Sequence, residues 1–229
     1  MDDLRHRFYN KTKREQNRIQ LFIGFCTLSV LLFSLVISWI TGIYLLGVLI
    51  FSITLSVIAP FFDTPSLKKN GDLVYHSPLF LSEKPKNGII KIHGGTLFDY
   101  VFVIDQNMDG KQRTNFIIHQ YLEGLLNLIE ENKNRKTGNL TVRGTSYIIK
   151  DRTAHRIGFR PVTTSTIQKL ILIYNYFNIL IMYSIAKDKL SFPKVNETKT
   201  FEADLNNLKK LRESISQLNE KLKNKISNN

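Results

Sequence analysis

The sequence predicts an α/β (or α+β) cytosolic domain tethered by an N-terminal two-helix transmembrane hairpin and followed by a C-terminal amphipathic helix. Three observations carry this. No charged residue occurs from Ile19 to Phe62, strand-like and helix-like patterns alternate between residues 73 and 195, and apolar residues recur at heptad spacing after residue 200. A chain of 229 residues has room for one domain of ordinary size, about 100 to 150 residues, beside an accessory segment.

The charge is unevenly spread. Residues 1–18 form a basic N-terminus with six basic and three acidic side chains, residues 19–62 have none, and residues 63–229 hold 26 basic against 16 acidic, for a net charge of +13. The uncharged run is too long for one bilayer crossing of about 20 residues, and two crossings fit it. Leu21–Ile40 is the first and Ile43–Phe62 the second, with Thr41-Gly42 as the reversal and Trp39 and Tyr44 flanking it where amphipathic rings sit at a membrane interface. A cleaved signal peptide fails on length and on the missing small-x-small cleavage site. Arg5, Arg7, Lys11, Lys13, Arg14 and Arg18 precede the hairpin, and Lys68 and Lys69 follow it. The positive-inside rule therefore predicts a multi-pass protein of the cytoplasmic (inner or plasma) membrane with both termini in the cytoplasm. The one cysteine, Cys26, lies within the first crossing, so the chain offers no disulfide framework and no cysteine-based metal site, in keeping with a reducing compartment.

Residues 63–72, "DTPSLKKNGD", read as a polar linker, and residues 73–195 as the α/β domain. Strands are predicted at 73–82, 88–95 and 96–105, the last from the Val, Phe, Tyr and Ile content of "TLFDYVFVID". Ile117, Ile118, Tyr121, Leu122, Leu125, Leu128 and Ile129 recur at helical spacing and predict a helix over 114–132. A strand follows at 139–150, with a short further one at 157–162, in the order β-β-β-α-β-α. Leu170–Ala186 is uncharged and predicts one helix, buried in the domain or laid on the membrane surface. A third crossing would export the lysine-rich residues 187–229 and would place Asn175 and Asn178 in lipid. In residues 200–226, Phe201, Leu208, Leu211, Ile215, Leu218 and Leu222 fit heptad positions. That helix either docks along its own domain or forms a coiled coil with a second copy or another protein partner.

Chemistry-bearing residues are scattered. "IHGGTLF" at 92–98 has a His-Gly-Gly loop but no nucleophile-elbow serine: "GTSYI" at 144–148 lacks the second glycine. Gly94-Gly95 therefore reads as a reversal between strands. His93, Asp99 and Asp105 show no metal-ligand spacing. No catalytic residue and no metal ligand is assigned. The candidate site is for an anion: Gly110, Lys111 and Arg113 open a helix whose first-turn N–H groups favour negative charge, and Arg152, His155 and Arg156 share one face if their turn is helical. Together they could hold a phosphate or pyrophosphate. The competing reading is a solvated basic face beside anionic lipid head groups of the bilayer. Nucleic acid is disfavoured despite a pI near 9.8, because aromatic residues do not alternate with the basic ones.

The order "YVFVID", "GKQR", amphipathic helix, "LTVRGTSYII", "AHRIGF" over residues 100–162 resembles the central half of the GNAT acyltransferase superfamily. The resemblance implies a pyrophosphate-binding loop at the helix start and an acyl-CoA as cofactor. Gly158 and Phe159 match the family's Gly-Phe pair, whereas no glycine follows Arg113 in the loop and Ala154 stands where the family has its general-acid tyrosine. The residues thus point first to a membrane-anchored, cytosol-facing binding or assembly protein with no cofactor. The alternative is a membrane-tethered acyltransferase-like domain, active or inactive, with CoA called for only in that case.

Overall fold

The computed structural model describes residues 6–133, 140–146, 149 and 151–227. A short turn at residues 7–10 leads into α1, Lys13–Thr41, through a capping box in which the Glu15 carboxylate accepts from the Thr12 N–H (2.8 Å) and the Glu15 N–H donates to Thr12 Oγ1 (3.3 Å). Gly42 ends α1 at φ +70°, a left-handed conformation that glycine adopts without strain, and the chain reverses at once into α2, Tyr44–Lys69. Both helices are long and apolar enough to cross a membrane, with a mean hydropathy of 2.4, and only 11% of each apolar stretch is buried inside the protein. Their apolar side chains, such as Leu21 at 74% and Trp39 at 82% exposure, need a non-aqueous surround. The helices outrun the uncharged segment at both ends, so that most of the expected 63–72 linker is the last turns of α2.

The rest is a six-stranded mixed sheet with helices. In chain order, β1 (Leu73–Ser77), β2 (Phe80–Glu83) and β3 (Ile89–Gly94) are followed by α3 (Leu97–Val103), α4 (Gly110–Glu131) and β4 (Thr141–Ser146). Then come α5 (Asp151–Arg156), β5 (Arg160–Val162), α6 (Thr166–Tyr174), α7 (Tyr176–Lys187), β6 (Lys199–Asp204), α8 (Leu205–Lys210) and α9 (Arg212–Ser227). The strand order is β1-β2-β3-β4-β6-β5, antiparallel throughout except for the β3–β4 pair, whose crossover contains α3 and α4. The registers set Ile90, Val142 and Ala203 in one row across β3, β4 and β6, and Ile92, Gly144 and Phe201 in another. These residues form a core with Leu122, Leu125, Leu128 and Ile129 of α4, Ala154 of α5, and Ile215 of α9. Close approach of α4 to the sheet depends on Gly124, where a Cβ would fall 2.4 Å from Phe80 Cβ.

Five expectations are corrected. Residues 73–82 are a hairpin: β1 and β2 pair directly, Ser77 opposite Phe80, across Pro78-Leu79. Residues 97–103 are helical, because the Asp99 carboxylate accepts from both the N–H (2.7 Å) and the hydroxyl (2.9 Å) of Thr96, a capping box that starts a helix, and Leu97 to Tyr100 are all buried in the turn it opens. Gly94-Gly95 accordingly joins a strand to a helix. The stretch Leu170–Ala186 is two helices bent by 69°: Asn175 keeps its backbone bonds to Ile171 O and from Ile179 N–H, both at 3.0 Å, but the Tyr174 carbonyl before it accepts from Ser56 Oγ (3.4 Å) instead of from the next turn. In the tail, residues 199–204 are the strand β6, which takes Phe201 out of the heptad series, while Leu211, Leu218 and Leu222 pack onto the same core as Ile215. The apolar seam is thus used within the chain, against α4. Of the strand expected at 139–150, residues 141–146 are β4, and 139, 147, 148 and 150 lie outside the described residues, as do Arg5 and Lys150 of the basic segments.

Candidate functional site

The six residues expected to hold an anion fall in two places. Asp109 caps α4, its Oδ1 accepting from the N–H groups of Lys111 (2.7 Å) and Gln112 (2.8 Å), so the first-turn donors are already occupied. The positive end of α4 meets the carbonyl end of α7. A Cβ at Gly110 would lie 2.2 Å from Lys187 O, Thr114 Oγ1 donates to Ala186 O (3.3 Å), and Arg113 donates to Ile185 O and Gln106 O, both at 2.9 Å. Arg113 is 8% exposed and also pairs with Asp188 at 3.0 Å. The group that satisfies this basic helix start is therefore the end of another helix of the same chain. A pyrophosphate, expected from the acyltransferase resemblance, would compete with Asp109 for the same donors. Lys111 remains exposed. Arg152, His155 and Arg156 are exposed on α5, so the condition for a shared face, a helical turn, is met, and α5 packs through Ala154 onto the core. The pocket beside the start of α4, which includes Lys111, Lys187 and Lys189, includes neither Arg152 nor Arg156.

A buried polar network joins the chain's start to the domain. Asp99 has no exposed surface, and its Oδ1 accepts from the Tyr75 hydroxyl at 2.6 Å and lies 3.2 Å from His6 Nε2. Phe8 packs edge-on against Phe98, with ring centroids 4.9 Å apart, and Arg7 caps the end of α3 by donating to the carbonyls of Val101, Phe102 and Ile104 at 2.8 to 2.9 Å. Lys68, from the last turn of α2, places Nζ 3.4 Å from the Tyr9 ring centroid. Burial, and next to it the charge of Asp99, pushes the Tyr75 phenol far above its usual range, so it stays a hydrogen-bond donor to Asp99 at every physiological pH. These contacts lock residues 6–12, the end of α2, β1 and α3 into one body.

At the carboxyl ends of the parallel pair β3–β4, an open groove of about 1320 Å³ runs between the sheet and helices α2, α6 and α7. Such crevices are where open α/β sheets receive ligands. Pro60 and Thr64 of α2, Ile167 and Ile171 of α6, Met182 of α7 and Tyr121 of α4 form its walls. On the outer face of the sheet the lining turns polar, with Glu83, Lys84, Lys91, Arg143 and Glu202. Those charges are largely matched: Lys91 with Glu83 at 3.7 Å, Lys84 with Asp72 at 3.4 Å, and Arg143 with Glu202. The groove thus combines an apolar side next to the long helices with a charge-balanced side on the sheet.

The remaining candidates do not converge. His93 pairs with Glu83 at 2.9 Å on the exposed face, Asp105 accepts from the Asn107 N–H at 3.0 Å, and no group of three potential metal ligands occurs among the described residues. No protein-family model, curated protein or solved structure matches this chain. The groove was invisible to sequence reasoning, since its walls come from positions between Pro60 and Glu202. The one local signal was the pair of asparagines within an otherwise apolar helix, Asn175 and Asn178, both of which lie along it.

Proposed function

We propose that this chain is a membrane-anchored binding protein. In this reading α1 and α2 cross the bilayer as a hairpin, their basic flanks hold both ends at the cytosolic face, and the sheet domain sits against that face. The observation that carries the reading is the groove between the anchor and the carboxyl ends of β3 and β4, because a cavity of this size with an apolar wall is the usual form of a ligand site. The excess of lysine and arginine over residues 63–229 adds attraction to anionic head groups, about 1 kcal/mol for each basic residue close to the surface. With the heptad seam of α9 engaged on α4, contacts with a second copy or another protein fall to other surfaces.

Two measurements test this. Reporter fusions after Asn70 and at Asn229 should both report the cytoplasm and a tag at Gly42 the opposite side; a tag at Gly42 found in the cytoplasm would remove the anchor. Purification in mild detergent, followed by mass spectrometry of the co-purifying small molecules, should then find a species that is lost from the groove-filling variant Met182→Trp. Identical profiles for the two proteins would refute the binding role.

A further inference from the structure

The elbow between α6 and α7 is positioned by the membrane hairpin. Asn178, 4% exposed, donates its side-chain amide to the backbone carbonyl of Ser56 at 2.8 Å and lies 3.3 Å from Ser56 Oγ. Since a carbonyl only accepts, the amide nitrogen must face α2. Ser56 Oγ in turn donates to the carbonyl of Tyr174, the group freed by the break. Ser56 stands seven residues inside the first charge after the apolar run, Asp63, which is about 10 Å along the axis at about 1.5 Å per residue. The elbow is therefore level with the interior of the apolar segment of α2, well short of its far end at Tyr44.

The outward face of this elbow matches that depth. Ile167, Leu170, Ile173 and Tyr174 are 60 to 71% exposed, and they continue the exposed apolar belt of α1 and α2. The Tyr174 carbonyl freed at the bend turns inward to Ser56, as non-helical backbone at membrane depth requires. Lys169, exposed between Ile167 and Leu170, is close enough to the end of α6 to extend its ammonium to the head groups, and Lys187 ends α7.

We infer that α6 and α7 form a re-entrant elbow that dips about 10 Å into the cytosolic leaflet and returns, with lipid acyl chains as the partner of its exposed face. This rests on the anchored reading above and deepens it. Ile167 and Ile171 are exposed and also line the groove. One mouth of the groove consequently opens sideways into the leaflet, and the ligand class is a lipid that inserts an acyl chain there, beside Met182.

The chain's single cysteine makes the test direct. In the full protein reconstituted in phosphatidylcholine vesicles, a nitroxide on native Cys26 reports the anchor, and a nitroxide on Ile173→Cys in a Cys26→Ser background reports the elbow. Both labels should be at least five-fold more accessible to oxygen than to a water-soluble nickel chelate. Protection at Cys26 with free access of the chelate at Ile173 would overturn the elbow and leave the anchor standing, whereas access at both would overturn the anchor itself. A reporter at Asn229 on the side of the Gly42 tag would show a full third crossing and would also overturn the elbow. Phosphatidylcholine bearing a photoactivatable acyl chain should label Met182, and Ile171→Trp should cut that labelling at least five-fold while the Ile173 nitroxide keeps its depth. Labelling confined to the outward residues of α6 would refute the side opening. Labelling of Met182 unchanged by Ile171→Trp would refute it equally.

Discussion

His6 Nε2 lies 3.2 Å from Asp99 Oδ1 across 93 residues of sequence, and neither side chain has any exposed surface. Between them runs the whole hairpin. The contact makes the residues just ahead of α1 part of the domain that follows α2, and it gives Asp99 a load that a surface carboxylate would not have: it serves Tyr75, His6 and the start of α3 at once.

Replacing that carboxylate should be costly. Asp99→Ala leaves the Tyr75 hydroxyl, the Thr96 N–H and His6 without their acceptor in a buried site, and a loss of about 3 to 5 kcal/mol is expected. Thermal unfolding in detergent measures it. The same variant should speed tryptic cleavage at Arg7 and Lys11; an unchanged cleavage rate would mean that the network does not hold the N-terminal segment.

His76 predicts a pH dependence. Burial lowers its pKa below the ordinary 6.5, against the opposing pull of Glu131, whose Oε2 lies 3.0 Å from Nδ1. The neutral ring is then the folded form, and the unfolded chain takes up the proton first as the pH falls. Stability from this group is fully present above pH 6.5 and declines below it until the folded ring also protonates. Melting temperatures of the wild type should therefore fall below that pH more steeply than those of His76→Gln. Parallel curves for the two proteins would show that His76 carries none of the acid sensitivity.

In the tail, Ile215→Ala should destabilise the domain by about 2 to 5 kcal/mol, since Ile215 is fully buried against α4. Leu211→Asp with Leu218→Asp should abolish protease resistance of the whole domain. Cross-linking in membranes supplies the contrast: loss of a dimer band from a domain that stays resistant would mean that the seam pairs two chains.

The two arginine classes of the expected anion site should separate cleanly. Arg113→Ala removes hydrogen bonds to two carbonyls and the ion pair with Asp188, a loss of about 1.5 to 3 kcal/mol of stability, whereas the exposed Arg156→Ala should stay within about 0.5 kcal/mol. Titration with CoA should show no saturable binding in the wild type. Micromolar binding lost in both variants would restore the phosphate reading.

What could be read from the sequence follows from how local each signal is. The hairpin was legible because the absence of charge over Ile19–Phe62 and the glycine at 42 need no tertiary context, and α4 because its apolar stripe has seven members at helical spacing. Residues 97–103 misled because Val, Phe and Tyr favour strands only weakly, and the capping pair Thr96 and Asp99 outweighs that preference once all sides of the turn are buried. In the tail, the alternation Thr200-Phe201-Glu202-Ala203 marks a strand, but the leucines that follow drew it into a helical pattern. The basic loop at Gly110 was recognised as a seat for negative charge, and what no local signal could show is that the carbonyl end of α7 fills it. The elbow depends on Ser56 meeting Asn178 across 122 residues, a relationship that exists only in the fold.

The clamp of residues 6–12 on α3 bears on how the molecule is born. Arg7 and Phe8 leave the ribosome long before Phe98 and Phe102, so α1 and α2 are complete before the surface that will retain their leading end has been synthesised. Until α3 is made, residues 6–12 have no surface to close on. Once α3 folds the clamp closes, and a chain whose leading end is held away from α3 is left with an uncovered aromatic cluster and an Asp99 that lacks its His6 contact.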